Sequence, residues 1–273
     1  MSFPETRLTL IQRLAADGRA EDWEVFLGDY WGPVCRFALR SGAGQLSDAE
    51  DVASQTFEVL WESELLVRWV THRTARLRSL LGSVTRKILA NRHRVQAGRQ
   101  RLAREVAELR PSAESVDDAQ ADLFYAAWVE DLLRQAVEFL AAAYYREGKG
   151  DYVRVLYGRL CQQRNMAELA QALDIKPAAV DNYFRHARQR LTNQFRRLVE
   201  QQIERFTPPD EVPAEMEAEW GQLGVYLEQH GGLEGAVRRA YELLDPSMAE
   251  RNRQKGRTVA RERLTSLIRG GSK

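Results

Sequence analysis

Cysteine is scarce in this sequence. The two cysteines, Cys35 and Cys161, lie far apart with no metal-like spacing, which excludes a disulfide framework and a cysteine-rich zinc site and favours a reducing compartment. Each reads as a small core residue. Long apolar runs are missing too: nowhere do about 18 apolar residues follow one another. The segment from Met1 to Trp23 has no apolar run ahead of a small-residue cleavage site. The expectation is a cytoplasmic protein that neither crosses nor binds a membrane. Histidine is sparse and scattered, at His72, His93, His186 and His230. No HExxH, Gly-x-Ser-x-Gly or P-loop spacing occurs, and Glu147-Gly148-Lys149-Gly150 lacks the Walker pattern. No catalytic constellation is found, so the expectation is a protein that is not an enzyme, with no cofactor, no metal and no small-molecule substrate.

What the sequence does have is sorted charge. The chain is 44% apolar and 29% charged with a formal net charge of only +1, a composition that suits a globular protein of one or two domains. The acids Asp48, Glu50, Asp51, Glu58, Glu62 and Glu64 stand together with no Lys or Arg between them. From Arg68 to Arg104 the sign reverses, with eleven Lys or Arg and no acid. Residues 105–131 turn acidic again, with eight acids against Arg110 alone. Such fields suit a protein that meets nucleic acid with one surface and a basic protein with another, although solvated helix faces would also produce them.

Apolar spacing is helical nearly throughout, and no sustained two-residue alternation appears, so the fold class expected is all-α. A first helix around Leu8, Ile11, Leu14 and Ala15 stops at Asp17-Gly18. A second runs from Trp23 to Ala38 with a bend expected near Gly32-Pro33. A third begins at Ser47, with Glu50 at capping-box spacing. A fourth, around Leu77, Leu81, Val84 and Ile88, carries the basic block. Residues 105–121 have little periodicity and read as a linker. A second helical unit spans 122–206. Beyond it, TPPDEVPAEMEAE, with Pro208, Pro209 and Pro213, introduces a C-terminal extension over 207–273, with helices expected near Met216 to Leu227, Leu233 to Leu244 and from Ser247 on. That extension reads equally as a regulatory appendage and as a solvated helical addition. The expected architecture is therefore two small helical domains, 1–104 and 122–206, joined by a linker.

Two constellations carry the functional reading. The first is NMAELAQALDIKPAAVDNYFRHARQRL, from Asn165 to Leu191. A short helix over 167–173, a three-residue turn and a longer helix from Pro177 make a helix-turn-helix. In the longer helix Val180, Phe184, Ala187, Leu191, Phe195 and Leu198 share one stripe that must be buried. The opposite flank presents Ala178, Asn182, Arg185 and Gln189, with His186 at its margin. Asn, Arg and Gln are side chains that reach base edges in a major groove. Arg188, Arg190, Arg196 and Arg197 are expected on phosphates or on other protein groups. An ordinary helical hairpin with a polar outer face would show the same pattern.

The second is SDAEDVASQTFEVLWE, from Ser47 to Glu62. Asp48, Asp51, Gln55, Glu58 and Glu62 fall on one stripe, while Ala49, Val52, Ala53, Thr56, Phe57 and Leu60 face the other way. A row of carboxylates repels itself on an isolated helix and is better explained by a basic partner surface. Gln55 leaves a neutral gap in the row, and relief of like-charge repulsion accounts for it. Ser54 lies beside Glu58 at the row's edge, whereas Thr56 points to the apolar side. Phosphorylation of Ser54 would add about −1.5 to −2 charge and offset the gap, so Ser54 is a candidate phosphosite for a Ser/Thr kinase.

Taken in order, DAEDVASQTFEVLWE, then LRSLLGSVTRKILANRHR, then the helix-turn-helix, the chain resembles a bacterial sigma factor of the extracytoplasmic-function (group 4) type over roughly Thr6 to Glu204. The helix WVEDLLRQAVEFLAAAYYREGKGDYVRVLYGRL is similar to a subgroup seen in planctomycete-like genomes. The resemblance implies two sigma domains, of the region 2 and region 4 kinds, a linker and no enzymatic activity. It implies core RNA polymerase and promoter DNA as partners, with an anti-sigma factor as a possible regulator. Asp48, Glu50, Asp51 and Glu58, with Gln55 and Glu62 on the same stripe, would dock on the clamp helices of the β′ subunit. Residues 65–94 would open and read the minus-ten element: Arg78, Arg86, Lys87, Arg92 and Arg94 holding the DNA backbone, Asn91 and His93 meeting an exposed base. The second domain would read the minus-thirty-five element through Asn182, Arg185 and Gln189 and rest on the β flap.

The chain departs from that family at Ser54-Gln55, where Gln-Glu is usual. It also departs at Asn91 (commonly Asp), Lys87 (commonly Asn), Leu80 (often aromatic) and Asp174 (usually the turn glycine), and Asp181 sets a negative charge near the reading face. A stand-alone helix-turn-helix regulator would share the DNA contacts without needing the acidic row or residues 65–94. An adaptor whose basic helix packs on an acidic protein would need no DNA at all.

Overall fold

The computed structural model describes residues 9–16, 18–71, 76–94 and 118–242, with the backbone alone at 93, 94, 118–120, 241 and 242. The described residues form eleven helices and no strand, so the chain is all-α. They are α1 (Leu10–Ala16), α2 (Ala20–Arg40), α3 (Leu46–Glu62), α4 (Leu65–Thr71), α5 (Leu77–Arg94), α6 (Asp118–Arg146), α7 (Gly150–Leu160), α8 (Met166–Leu173), α9 (Pro177–Phe206), α10 (Val212–Gln229) and α11 (Gly232–Glu242). None of these is long and apolar enough to cross a membrane. The chain divides into two compact units within α6, between Trp128 and Val129. Of the expected linker over 105–121, residues 105–117 lie outside the described residues and 118–121 are already helix. Residues 95–117 and the expected third helix of the extension, from Ser247, lie outside the described residues.

In the first unit α2 packs on α3 and α5, and α1 on α4 and α2. Thr9 and Gln12 cap α1 reciprocally: the Thr9 amide donates to Gln12 Oε1 at 2.8 Å and the Gln12 amide to Thr9 Oγ1 at 3.3 Å. Gly18 closes that helix with φ +42, in the left-handed region that a Cβ disfavours. The core is aromatic. Phe26 meets Phe57 edge-on at 5.7 Å, Trp31 stacks on Phe57 at 5.9 Å and Trp23 lies 4.7 Å from Trp61. Helix α2 runs through Pro33 without interruption. The side expected to be apolar in α3 is buried at all six positions, Ala49 to Leu60. Thr56 is accommodated there because its hydroxyl donates to the Val52 carbonyl at 2.8 Å and lies 3.4 Å from Thr85 Oγ1. The capping box expected at Ser47 and Glu50 does not form: α3 starts one residue earlier, at Leu46, with Gln45 in the cap position and no side-chain cap. Ser47 is thus already inside the first turn.

In the second unit α9 packs on α7, α8 and α10, and α11 on α10 and α7. Both helices of the extension that are described, α10 and α11, therefore belong to the same compact unit as the helix-turn-helix. A buried carboxylate helps hold them there. Glu130 is fully buried, and its Oε1 accepts from Tyr226 Oη at 3.3 Å and pairs with Arg239 Nε at 3.3 Å. Arg238 Nε donates to the Leu160 carbonyl at 3.1 Å.

Candidate nucleic-acid interface

The helix-turn-helix is built from local signals. Asn165 Oδ1 accepts from the Glu168 amide at 2.9 Å while Glu168 Oε2 accepts from the Asn165 amide at 2.9 Å, a complete capping box that starts α8. Asp174 ends α8 in the left-handed conformation, φ 53 and ψ 46, where a glycine would be unstrained. Asp tolerates that region better than most residues. Pro177 opens α9 in its first turn. Leu169 and Ala170 of α8, Val180 of α9 and Val155 of α7 form the core of the motif, with Met166, Leu173, Ile175, Tyr183 and Phe184 packed around them. Phe184, expected in the buried stripe, is half-buried, and Arg159 lies 5.5 Å from its ring centroid.

Ala178, Asn182, Arg185, His186 and Gln189 are all exposed on α9. Asp181 pairs with Arg185 across one helical turn at 3.1 Å, both groups open to solvent. Three of the arginines flanking that face meet protein groups instead of standing free. Arg188 pairs with Glu234 of α11 at 3.2 Å, Arg196 lies over Trp220 of α10 at 5.7 Å, and Arg190 bonds Glu147 through both terminal nitrogens, at 3.1 and 3.3 Å. The bonds from Arg190, and then the one from Lys149 at 3.0 Å, hold the Glu147 carboxyl down at about 2. The same contact raises Arg190. Arg190 also sits 4.6 Å above the ring of Tyr144. Burial raises the Tyr144 phenol despite that neighbour. Tyr144 Oη lies 2.9 Å from His186 Nδ1, and Tyr152 stacks on Tyr144 at 5.0 Å and on Tyr183 at 4.2 Å.

In the first unit the acidic row is open at Asp51 and Glu62, and half-buried at Asp48, Glu50, Gln55 and Glu58, with Ser54 half-buried beside it. Arg92 of α5 reaches it, donating to the Asp48 carbonyl at 3.0 Å and pairing with Asp51 Oδ2 at 3.2 Å. Arg78 lies over an aromatic pair from the start of α6, 4.2 Å from Trp128 and 4.9 Å from Tyr125. Arg86 and Asn91 are half-buried and Lys87 is exposed. The side chains of His93 and Arg94, and residues 72–75, lie outside the described residues. Residues 65–94 also include, ahead of the basic helix, the short helix α4, whose Leu65, Leu66 and Trp69 are buried.

The residues that sequence reasoning missed are Glu147, Tyr144, Tyr125 and Trp128. All four lie on or next to α6, and their arginine partners, Arg78 and Arg190, stand on α5 and α9, so spacing along the chain carries no trace of the contacts. Among the described residues no group of three His, Cys, Asp or Glu side chains is placed to hold a metal ion. No protein-family model, no curated protein and no solved structure matches the chain.

Proposed function

We propose that the chain is a transcription-initiation subunit of the sigma type, which binds core RNA polymerase, brings it to one class of promoter and helps to open the start region. The observation that carries this reading is the exposed row Ala178, Asn182, Arg185 and Gln189 on α9, behind a capped α8 and a tight left-handed turn. A helix so presented fits a major groove, and its Asn, Arg and Gln match adenine and guanine edges. The acidic row on α3 supports a second, basic protein surface as partner, since Asp51 and Glu62 remain open to solvent. A stand-alone DNA-binding regulator is the competing reading. It is favoured by the placement of Arg78 on Trp128 and of Arg92 on Asp51, which engages two of the cations otherwise expected on separated strands.

The deciding experiment is run-off transcription with purified core polymerase on genomic promoter fragments, with and without the full chain. New transcripts that depend on the chain support the initiation subunit. Duplex binding that retards DNA without any new transcript overturns it in favour of the regulator.

A further inference from the structure

We infer that His186 is a DNA-backbone donor whose ring is set by Tyr144, so that Nδ1 faces inward as an acceptor and Nε2–H is offered to a phosphate oxygen. This rests on the reading of α9 as the DNA-facing helix. Tyr144 is fully buried, and a buried phenol O–H needs an acceptor. Its oxygen lies 2.9 Å from His186 Nδ1 and is also hydrogen-bonded by Arg190, which can only donate, so Nδ1 is the acceptor on hand for the phenol hydrogen. If Nδ1 carried a hydrogen, the phenol proton would be left pointing into a packed interior, so the phenol donates and Nδ1 is bare. A neutral imidazole with a bare Nδ1 carries its hydrogen on Nε2.

The surroundings hold that arrangement. Arg190 from the next turn of α9 covers the Tyr144 ring at 4.6 Å and is itself fixed by both oxygens of Glu147. Tyr152 from α7 stacks on Tyr144 and meets the His186 ring edge-on at 5.5 Å. Two phenols, Tyr144 and Tyr152, thus stand against the imidazole, and the neighbouring guanidinium of Arg190 is already paired with carboxylate. His186 is nevertheless exposed. At about 100° per residue it sits roughly 70° around the helix from the middle of the Ala178, Asn182, Arg185 and Gln189 row. A side chain on that flank meets the wall of a major groove, which is phosphate, and not its floor.

Two measurements test this on the full chain. With histidine labelled in its ring nitrogens, NMR at pH 7.5 reports the tautomer, and loss of one signal set in His186→Gln assigns it. A bare, hydrogen-bonded Nδ1 whose shift moves in Tyr144→Phe is expected. Hydrogen on Nδ1, or an unmoved signal in Tyr144→Phe, overturns the inference. The second measurement uses duplexes selected from a randomised pool with core polymerase present. His186→Ala is expected to weaken every selected duplex by about tenfold, the size of one hydrogen bond to a charged group. His186→Gln, which keeps an N–H donor at the Nε2 position, is expected to recover most of it. Loss confined to duplexes with one particular base, or no loss while Arg185→Ala does weaken binding, overturns the phosphate contact. If no duplex is selected at all, the DNA-facing reading of α9 fails, and the tautomer still stands or falls by NMR.

Discussion

Tyr226 of α10 donates its phenol hydrogen to Glu130 of α6 at 3.3 Å inside the second unit, although the two residues are 96 positions apart in sequence. The carboxylate that receives it is fully buried and also pairs with Arg239 of α11. The extension is thus tied to the helix-turn-helix unit by a charge that water cannot reach.

Removing the cation leaves that charge with less compensation. Arg239→Ala is expected to destabilise the chain by about 2 kcal/mol, below the range for a fully buried pair because the Arg239 side chain is 43% exposed. Tyr226→Phe should cost about 1 kcal/mol. Equilibrium denaturation of the variants checks both, and a loss below about 0.5 kcal/mol for Arg239→Ala would show the tie to be idle.

The turn of the motif offers a change in the opposite direction. Asp174 sits at φ 53, so Asp174→Gly is expected to stabilise by up to about 1 kcal/mol, and Asp174→Val to destabilise by about 1 to 2 kcal/mol. Thermal melts of the two variants should move to opposite sides of the native chain.

The link between Arg185 and Asp181 is exposed on both sides, at 72% and 52%, and Arg185 stands in the row proposed to read DNA. Asp181→Asn should therefore strengthen duplex binding several-fold and steepen its salt dependence by about one unit of slope, since a free guanidinium displaces one more counterion. Affinity measured across a salt series decides it.

Acid acts on a different pair. Glu147 is held at about 2, against 4.5 for the free group, so the unfolded chain takes up its proton first. The pair's contribution is present above about 4.5 and is lost as the pH falls towards 2. The difference in melting temperature between the native chain and Glu147→Gln should accordingly shrink over that interval, and added salt should shrink it at neutral pH as well.

Much of the fold is legible in the sequence where one period dominates. All six positions on the apolar side of α3 are buried, and Pro177 opens α9 as read. What is not legible depends on competition between near-equal local choices or on partners distant in sequence. Ser47 and Gln45 compete for one cap, and Gln45 takes it with no side-chain bond. LLVRWVT is too short for a helical period to stand out, yet it folds as α4. The division of the chain inside α6 leaves no mark, because the helical pattern continues unbroken on both sides of Trp128. Among candidate site residues, exposure on α9 follows from the angle of each residue, whereas the partners of Arg188, Arg190 and Arg196 come from α10, α11 and the end of α6.

The clasp between Arg92 and Asp51 sets the terms on which any basic visitor meets the ridge of α3. Both ends remain accessible, at 31% and 67%, and exchange between water-exposed ions of this kind is worth less than about 1 kcal/mol. A newcomer that takes over Asp51 thus displaces an incumbent held by less than about a fivefold preference, and leaves the Arg92 guanidinium on the neighbouring helix with its bond to the Asp48 carbonyl. By reciprocity, whatever then captures that guanidinium would tighten the newcomer's grip by the same factor.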